Sequence, residues 1–245
     1  MESSSERAPA LSDLAGSDLL LSSATEATLR GTSPRYSRDQ GEFDRAIGFV
    51  DATFALALTL LVTTLDVDDA RVAFSSLGAL DDAVGAQFVA FAIAFAVIAS
   101  YWLQHHRLIA SFAAIDYPVV VVNLFLIAAI VLLPFSTSAV GDPGVEDLPL
   151  PTVIMAVNVV AASVFHTLVY VVAVRRNLLS TAPSPGEVSY IVVNALAGAV
   201  VFAASVPVAY LISPTAAKIT WISLVPISWL LGRYTARWQQ TTDTA

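Results

Sequence analysis

The sequence predicts an all-α integral membrane subunit of six transmembrane helices, with a disordered, polar N-terminal tail ahead of them. Three observations predict it. The composition is 56% hydrophobic but only 13% charged, against about 25% charged in ordinary soluble domains, and the mean hydropathy is +0.72. Six apolar stretches reach the roughly 20 residues that a bilayer core of about 30 Å requires. Basic residues gather in alternate connections between those stretches. So little polar surface cannot enclose so much apolar material in water, and lipid must be the main solvent.

Residues 1–40 are a different material, rich in Ser, Ala, Thr and charge, with no sustained helical stripe. They predict a disordered cytoplasmic tail, with a short amphipathic helix near 11–21 as the alternative. The apolar run there is too short and too acidic for a signal peptide, and no basic segment precedes it. The helical domain is predicted over 41–238, followed by a short cytoplasmic tail at 239–245. Its spans are expected at 46–65, 84–103, 117–140, 151–174, 188–212 and 215–231. The breaks DVDDARVAFSSLGALDD, GDPGVEDLPLP and RRNLLSTAPSPGE have turn chemistry. Spans five and six meet at Ser213-Pro214, which predicts a tight hairpin. Pro207 and Pro226 fall inside spans and are expected to kink them.

Of the twelve Lys and Arg residues, all but Arg71 and Lys218 lie in the tail up to Arg45, the second and fourth loops, or the C-terminal end. By the positive-inside rule both termini are cytoplasmic and the protein is multi-pass in the cell membrane. Trp221, Trp229 and Trp238 are expected as interfacial anchors of the last helix. The opposite face is acidic: Asp66, Asp68, Asp69, Asp81, Asp82, Asp142, Glu146 and Asp147 fall in the first and third loops. They are either a solvated loop surface or a field that concentrates cations at an outer mouth, with Asp66, Asp68 and Asp69 nearest it.

The first span is the unusual one, because charges within a span are costly and tend to be functional. Arg45 stands at its entrance and Asp51 lies about one and a half turns further in. At 100° per residue the two are not stacked, so Asp51 must find another helix or water. Beyond it, Ala52, Leu56, Thr59, Thr63 and Asp66 recur at helical spacing with Leu60 alongside. Around an axis, Leu56 and Leu60 would form an apolar constriction and the threonines would offer weak oxygen ligands. The competing reading has each threonine bonding its own preceding turn.

YWLQHHR, at 101–107, closes the second span. His105 and His106 point about 100° apart, so a shared metal ion is not expected. A hydrogen-bonded hub is: one imidazole meeting Asp51 while Trp102 donates its indole N–H. Asn123, Asn158, His166 and Asn194, within spans three to five, are expected to bond between helices.

There is no cysteine, hence no disulfide and no thiolate chemistry. GxSxG, HExxH, a glycine-rich phosphate loop and TVGYG are all missing, so neither an enzyme nor a conventional potassium filter is expected, and no cofactor. A net charge of −8 speaks against a nucleic-acid partner.

Three segments resemble the prokaryotic branch of the transmembrane protein 175 family of potassium channels: RAIGFVDATFALALTLLV, WLQHHR, and the run from NLF at Asn123 to LLPFST. The resemblance implies a homotetramer with the first helix lining a central pore and potassium as the permeant ion. By position it implies that Leu56 forms the narrowest layer and Leu60 the next, a hydrophobic gate, with Thr59 at the hydroxyl position tied to potassium preference. Arg45, Asp51, Trp102 and His105 or His106 match the polar network that braces the pore helix. Val50 departs from the family's Ser before the Asp, and Thr63 stands where another aliphatic layer is usual, which puts strict selectivity in doubt. Two other classes are kept: a proton-coupled secondary transporter using Asp51 and His105 or His106, and a membrane scaffold that conducts nothing.

Overall fold

The structure is a computed structural model, and its described residues are 34–67 and 69–223. Residues 1–33, Asp68 and 224–245 lie outside them, and with these go the expected tail, most of the sixth span, Pro226, Trp229 and Trp238. The chain divides into two units, Met1–Arg35 and Tyr36–Ala245. The fold below is that of the second.

Strand β1 (Arg35–Ser37) leads into α1 (Gly41–Leu60), which tightens into a 3₁₀ turn at Leu61–Thr64. A one-turn helix α2 (Ala70–Ala73) precedes α3 (Leu77–Ala110). Strand β2 (Ala114–Asp116) then opens α4 (Tyr117–Val131), and α5 (Leu133–Gly141), α6 (Pro149–Arg175), α7 (Pro185–Leu211) and α8 (Pro214–Ile222) follow. Five helical stretches are long and apolar enough to cross a membrane: Gly41–Thr64, Leu77–Ala110, Tyr117–Gly141, Pro149–Arg175 and Pro185–Leu211. The described part of the sixth expected span is α8.

Three helix starts follow a shared chemical rule. Asp116, Ser184 and Ser213 each accept a bond from the backbone N–H three residues on, from Val119, Glu187 and Ala216 at 3.3, 3.2 and 3.0 Å. A proline sits in the first turn of α4, α7 and α8, where its missing N–H costs nothing. The third span breaks at Leu132, just before Pro134, because the proline ring cannot continue the ladder. Helix α6 stops at Asn177, whose φ of 53° allows Leu178 N–H to reach back to the Ala173 carbonyl at 3.0 Å.

Two expectations are corrected. Asp81 and Asp82 are not loop residues: α3 has 34 residues, about 51 Å at 1.5 Å per residue, and carries both in its protruding first turns. The tail expected over 1–40 gives up its last residues to ordered backbone, since Arg35–Ser37 forms a strand.

Helix α6 holds the centre and packs against α4, α5, α7 and α8, while α1 packs against α3 and α4. The buried cluster runs from Phe54 and Leu61 of α1 through Ile98 of α3, Leu126 and Ile130 of α4, and Met155 and Val169 of α6. Between membrane helices this contact gains little from the hydrophobic effect, because lipid is equally apolar, so close packing and hydrogen bonds hold the bundle. Gly141 lets α5 close on α3: a Cβ there would lie 3.1 Å from both Ala90 Cβ and Gln87 Cα. Tyr101 of α3 donates to the Val159 carbonyl of α6 at 3.1 Å, and Asn158 donates to Ser136 Oγ at 3.1 Å.

One end of the bundle is tied by backbone bonds. Strands β1 and β2 pair, Arg38 N–H reaches the Ala113 carbonyl at 3.2 Å, Ala113 N–H reaches Leu178 at 2.8 Å, and Ser180 N–H reaches Ser111 at 2.8 Å. The segment before the first helix and the second and fourth loops therefore lie on one side. Arg176 pairs there with Asp116, which is fully buried.

Trp221 is the third correction. It is not an interfacial anchor: it is 5% exposed, stacks on Phe202 at 5.0 Å and donates its indole N–H to Ser205 Oγ at 3.0 Å. The Ser205 hydroxyl, 0% exposed on α7, gives the indole N–H its acceptor inside the protein instead of at the membrane interface.

Candidate functional site

Helix α1 has two apolar faces, and only one is covered. Val50, Phe54, Ala57, Leu61 and Thr64 step by four and three residues and are buried against the bundle. The other face is the expected pore stripe: Ala52, Leu56, Thr59, Leu60 and Thr63 are all exposed within the protomer, Leu56 at 53% and Leu60 at 37%. Such aliphatic area is left for lipid or for another subunit. The threonine hydroxyls donate to their own helix, Thr59 to the Leu56 carbonyl at 2.8 Å and Thr63 to that of Leu60 at 2.7 Å. With its proton committed inward, each oxygen keeps lone pairs for an outside partner, a water or a cation.

The polar residues at the other end of α1 are only partly brought together. Trp102 of α3 donates its indole N–H to Asp51 Oδ1 at 3.1 Å, so a half-buried carboxylate is held by a donor from the neighbouring helix. His106 joins through its ring, tilted against that of Trp102 with centroids 5.6 Å apart. His105 turns away: it is 1% exposed and packs on Phe54 at 5.8 Å and His166 at 5.9 Å. Both of its ring nitrogens lack a hydrogen-bond partner among the described residues. Arg45 is exposed at the helix entrance, and its side chain makes no hydrogen bond or ion pair among the described residues. Neither histidine thus bonds Asp51, because their adjacent positions on α3 point one ring at the indole and the other into the core. No three His, Cys, Asp or Glu side chains converge among the described residues.

At the other end of α1, Asp66 is exposed and its backbone N–H is fixed by Gln87 Oε1 at 2.7 Å. Asp69 caps α2, accepting from the N–H groups of Arg71 and Val72 at 3.0 and 3.2 Å. Asp68 lies outside the described residues. Among the expected interhelical amides, Asn158 bonds across to Ser136, whereas Asn123 donates to Val119 of its own helix at 3.0 Å.

Sequence reasoning passed over the Asp116–Arg176 pair. Its signal was local: Asp116 stands two residues before Pro118, at the head of an apolar run, which marks a helix cap. The partner Arg176 had no local signal.

The profile described as "Endosomal/lysosomal potassium channel TMEM175" matches residues 45–134, from Arg45 to Pro134. A potassium channel of Streptomyces collinus is 30% identical over 109 residues, 43% of this chain and 51% of that protein. One of Chamaesiphon minutus is 28% identical over 106 residues, 42% of this chain and 52% of that protein. The matches span about half the length of these curated relatives. The crystal structure of a lysosomal potassium-selective channel TMEM175 homolog from Chamaesiphon minutus superposes with a TM-score of 0.64 at 20% identity, covering 78% of this chain and 98% of that one. At that identity the likeness speaks for the fold. Residues 45–134, which hold most of α1, its exposed stripe and the Asp51–Trp102 contact, are the part of the chain that resembles the TMEM175 family.

Proposed function

We propose that the chain is a potassium-permeable channel subunit that conducts passively through a pore lined by α1. Four copies bring their Ala52–Leu56–Thr59–Leu60–Thr63 stripes around one axis, in a cell membrane with both termini on the cytoplasmic side. Leu56 and Leu60 form the constriction, closing by dewetting, and Thr59 and Thr63 offer oxygens to a partly dehydrated ion.

The observation that carries this reading is the uncovered stripe on α1, within the segment most like the family. The names of the two curated relatives agree with it. Orientation rests on the ten cations gathered away from Arg71 and Lys218. A proton relay from Asp51 draws less support, since Asp51 is engaged by Trp102 and neither imidazole reaches it.

The test is flux from the reconstituted full-length chain. Potassium is expected to run down its gradient with no coupled ion and in unitary current steps. Leu56→Ala, which widens the constriction, is expected to raise sodium leak several-fold; unchanged flux of both ions would refute the assignment of Leu56. Saturable, proton-dependent uptake lost in Asp51→Asn would replace the channel reading by a transporter.

A further inference from the structure

Away from α1, a cleft of about 450 Å³ lies among the end of α3, the second half of α6, the first turns of α7 and the 179–183 loop. That volume is within the range of about 300–1,000 Å³ of small-molecule sites and holds on the order of fifteen waters at about 30 Å³ each. Helices α3 and α7 share no extensive packing, so α6 lies between them as the floor.

The floor carries unmet polar groups. Tyr170 is 5% and His166 8% exposed, both line the cleft, and the Tyr170 hydroxyl and His166 Nε2 have no partner among the described residues. Buried polar atoms in native proteins find partners, so a polar occupant is called for.

The rim carries opposite charges. Arg107 comes from α3 and Glu187 from α7, both exposed, and they form no ion pair with one another among the described residues. Tyr190 adds an aromatic wall. Water would satisfy the floor, but it does not account for a separated cation and anion facing one aromatic-walled space. The cleft also sits at the end of the bundle where the second and fourth loops meet, beside the last turns of the spanning stretches Leu77–Ala110 and Pro149–Arg175.

We propose that this cleft binds the headgroup of a zwitterionic aminophospholipid. Arg107 takes the phosphate, because its planar fork matches phosphate oxygens. Glu187 and the faces of Tyr190 and Tyr170 take the ammonium, by charge and by cation–π attraction. The Tyr170 hydroxyl and His166 meet the ester oxygens beneath. No residue of this site lies on α1, so its failure leaves the pore reading untouched.

The experiment uses the full-length chain, stripped of lipid in detergent, with thermal unfolding and native mass spectrometry as readouts. Phosphatidylethanolamine is expected to be retained and to raise the unfolding temperature, while phosphatidylglycerol and soluble glycerophosphoethanolamine do neither. Arg107→Ala and the conservative Glu187→Gln are each expected to weaken retention about tenfold, with lipid-free unfolding unchanged. Equal retention of the two lipids overturns the proposal. So does undiminished retention in both variants, or a soluble headgroup that binds as tightly as the lipid. A photo-crosslinker replacing Tyr190 is expected to capture lipid; capture of a peptide from 1–33 or 224–245 would assign the cleft to the chain's own termini and overturn it as well.

Discussion

At the scale of single residues, the side chain with most consequence is Asp51. A carboxylate within a membrane-spanning helix is stable only with a donor or water beside it, and Trp102 Nε1 supplies that donor from the adjacent helix. Hydrogen bonds to charged groups contribute about 1.5–3 kcal/mol. Trp102→Phe keeps an aromatic ring against His106 but removes the donor, and is expected to cost stability within that range. Unfolding in detergent measures it, and Asp51→Asn in the Trp102→Phe background should then add little, because the pair is already broken. Arg176 and Asp116 form the second such pair, at the tied end of the bundle. Asp116 is wholly buried and also caps α4, so it does two structural jobs that leave no functional role to be inferred from its burial.

At the scale of elements, helix ends decide where each span starts and stops. The sequence signals were local and strong, because Ser-Pro and Asp-x-Pro heads act through the next three residues only. The stop of α6 depends on a left-handed residue, Asn177. Asn177→Gly is expected to be neutral or slightly stabilising and Asn177→Ala to cost about 1 kcal/mol, readable as an unchanged or raised unfolding temperature for the first and a lowered one for the second. The loops at this end depend on that stop, since Leu178, just past it, accepts the bond from Ala113. Helix α8 shows where element-level reading failed. Tryptophan near a helix end suggested an interfacial anchor, but whether an indole meets lipid or a neighbouring Ser205 is settled by packing and not by position along the chain.

At the scale of the whole molecule, the protomer leaves apolar area uncovered on α1 that a bundle of its own helices does not reach. The chain has no cysteine, so a single introduced thiol reports on assembly without interference. Leu60→Cys is expected to form disulfide-linked dimers in the membrane on mild oxidation, because the proposed assembly brings the stripes of neighbouring subunits to one axis. Val200→Cys, exposed on α7, is expected to stay monomeric on denaturing gels. The reverse pattern would put α1 against lipid and α7 at the interface.

The sequence by itself determined that lipid is the solvent, where five spans lie, and which segment of α1 mixes aliphatic with hydroxyl side chains. These are properties of hydropathy and turn chemistry summed over neighbours in the chain, and they need no partner to be visible. Only the tertiary structure decided which face of α1 is covered, that Asp51 meets Trp102 across 51 positions while His105 sinks into the core, and that Asp116 pairs with Arg176 across 60. Both faces of α1 are apolar, so composition cannot rank them. Adjacent histidines are equivalent until α1 and α6 close on the face of α3 that carries His105, and the choice between them belongs to packing.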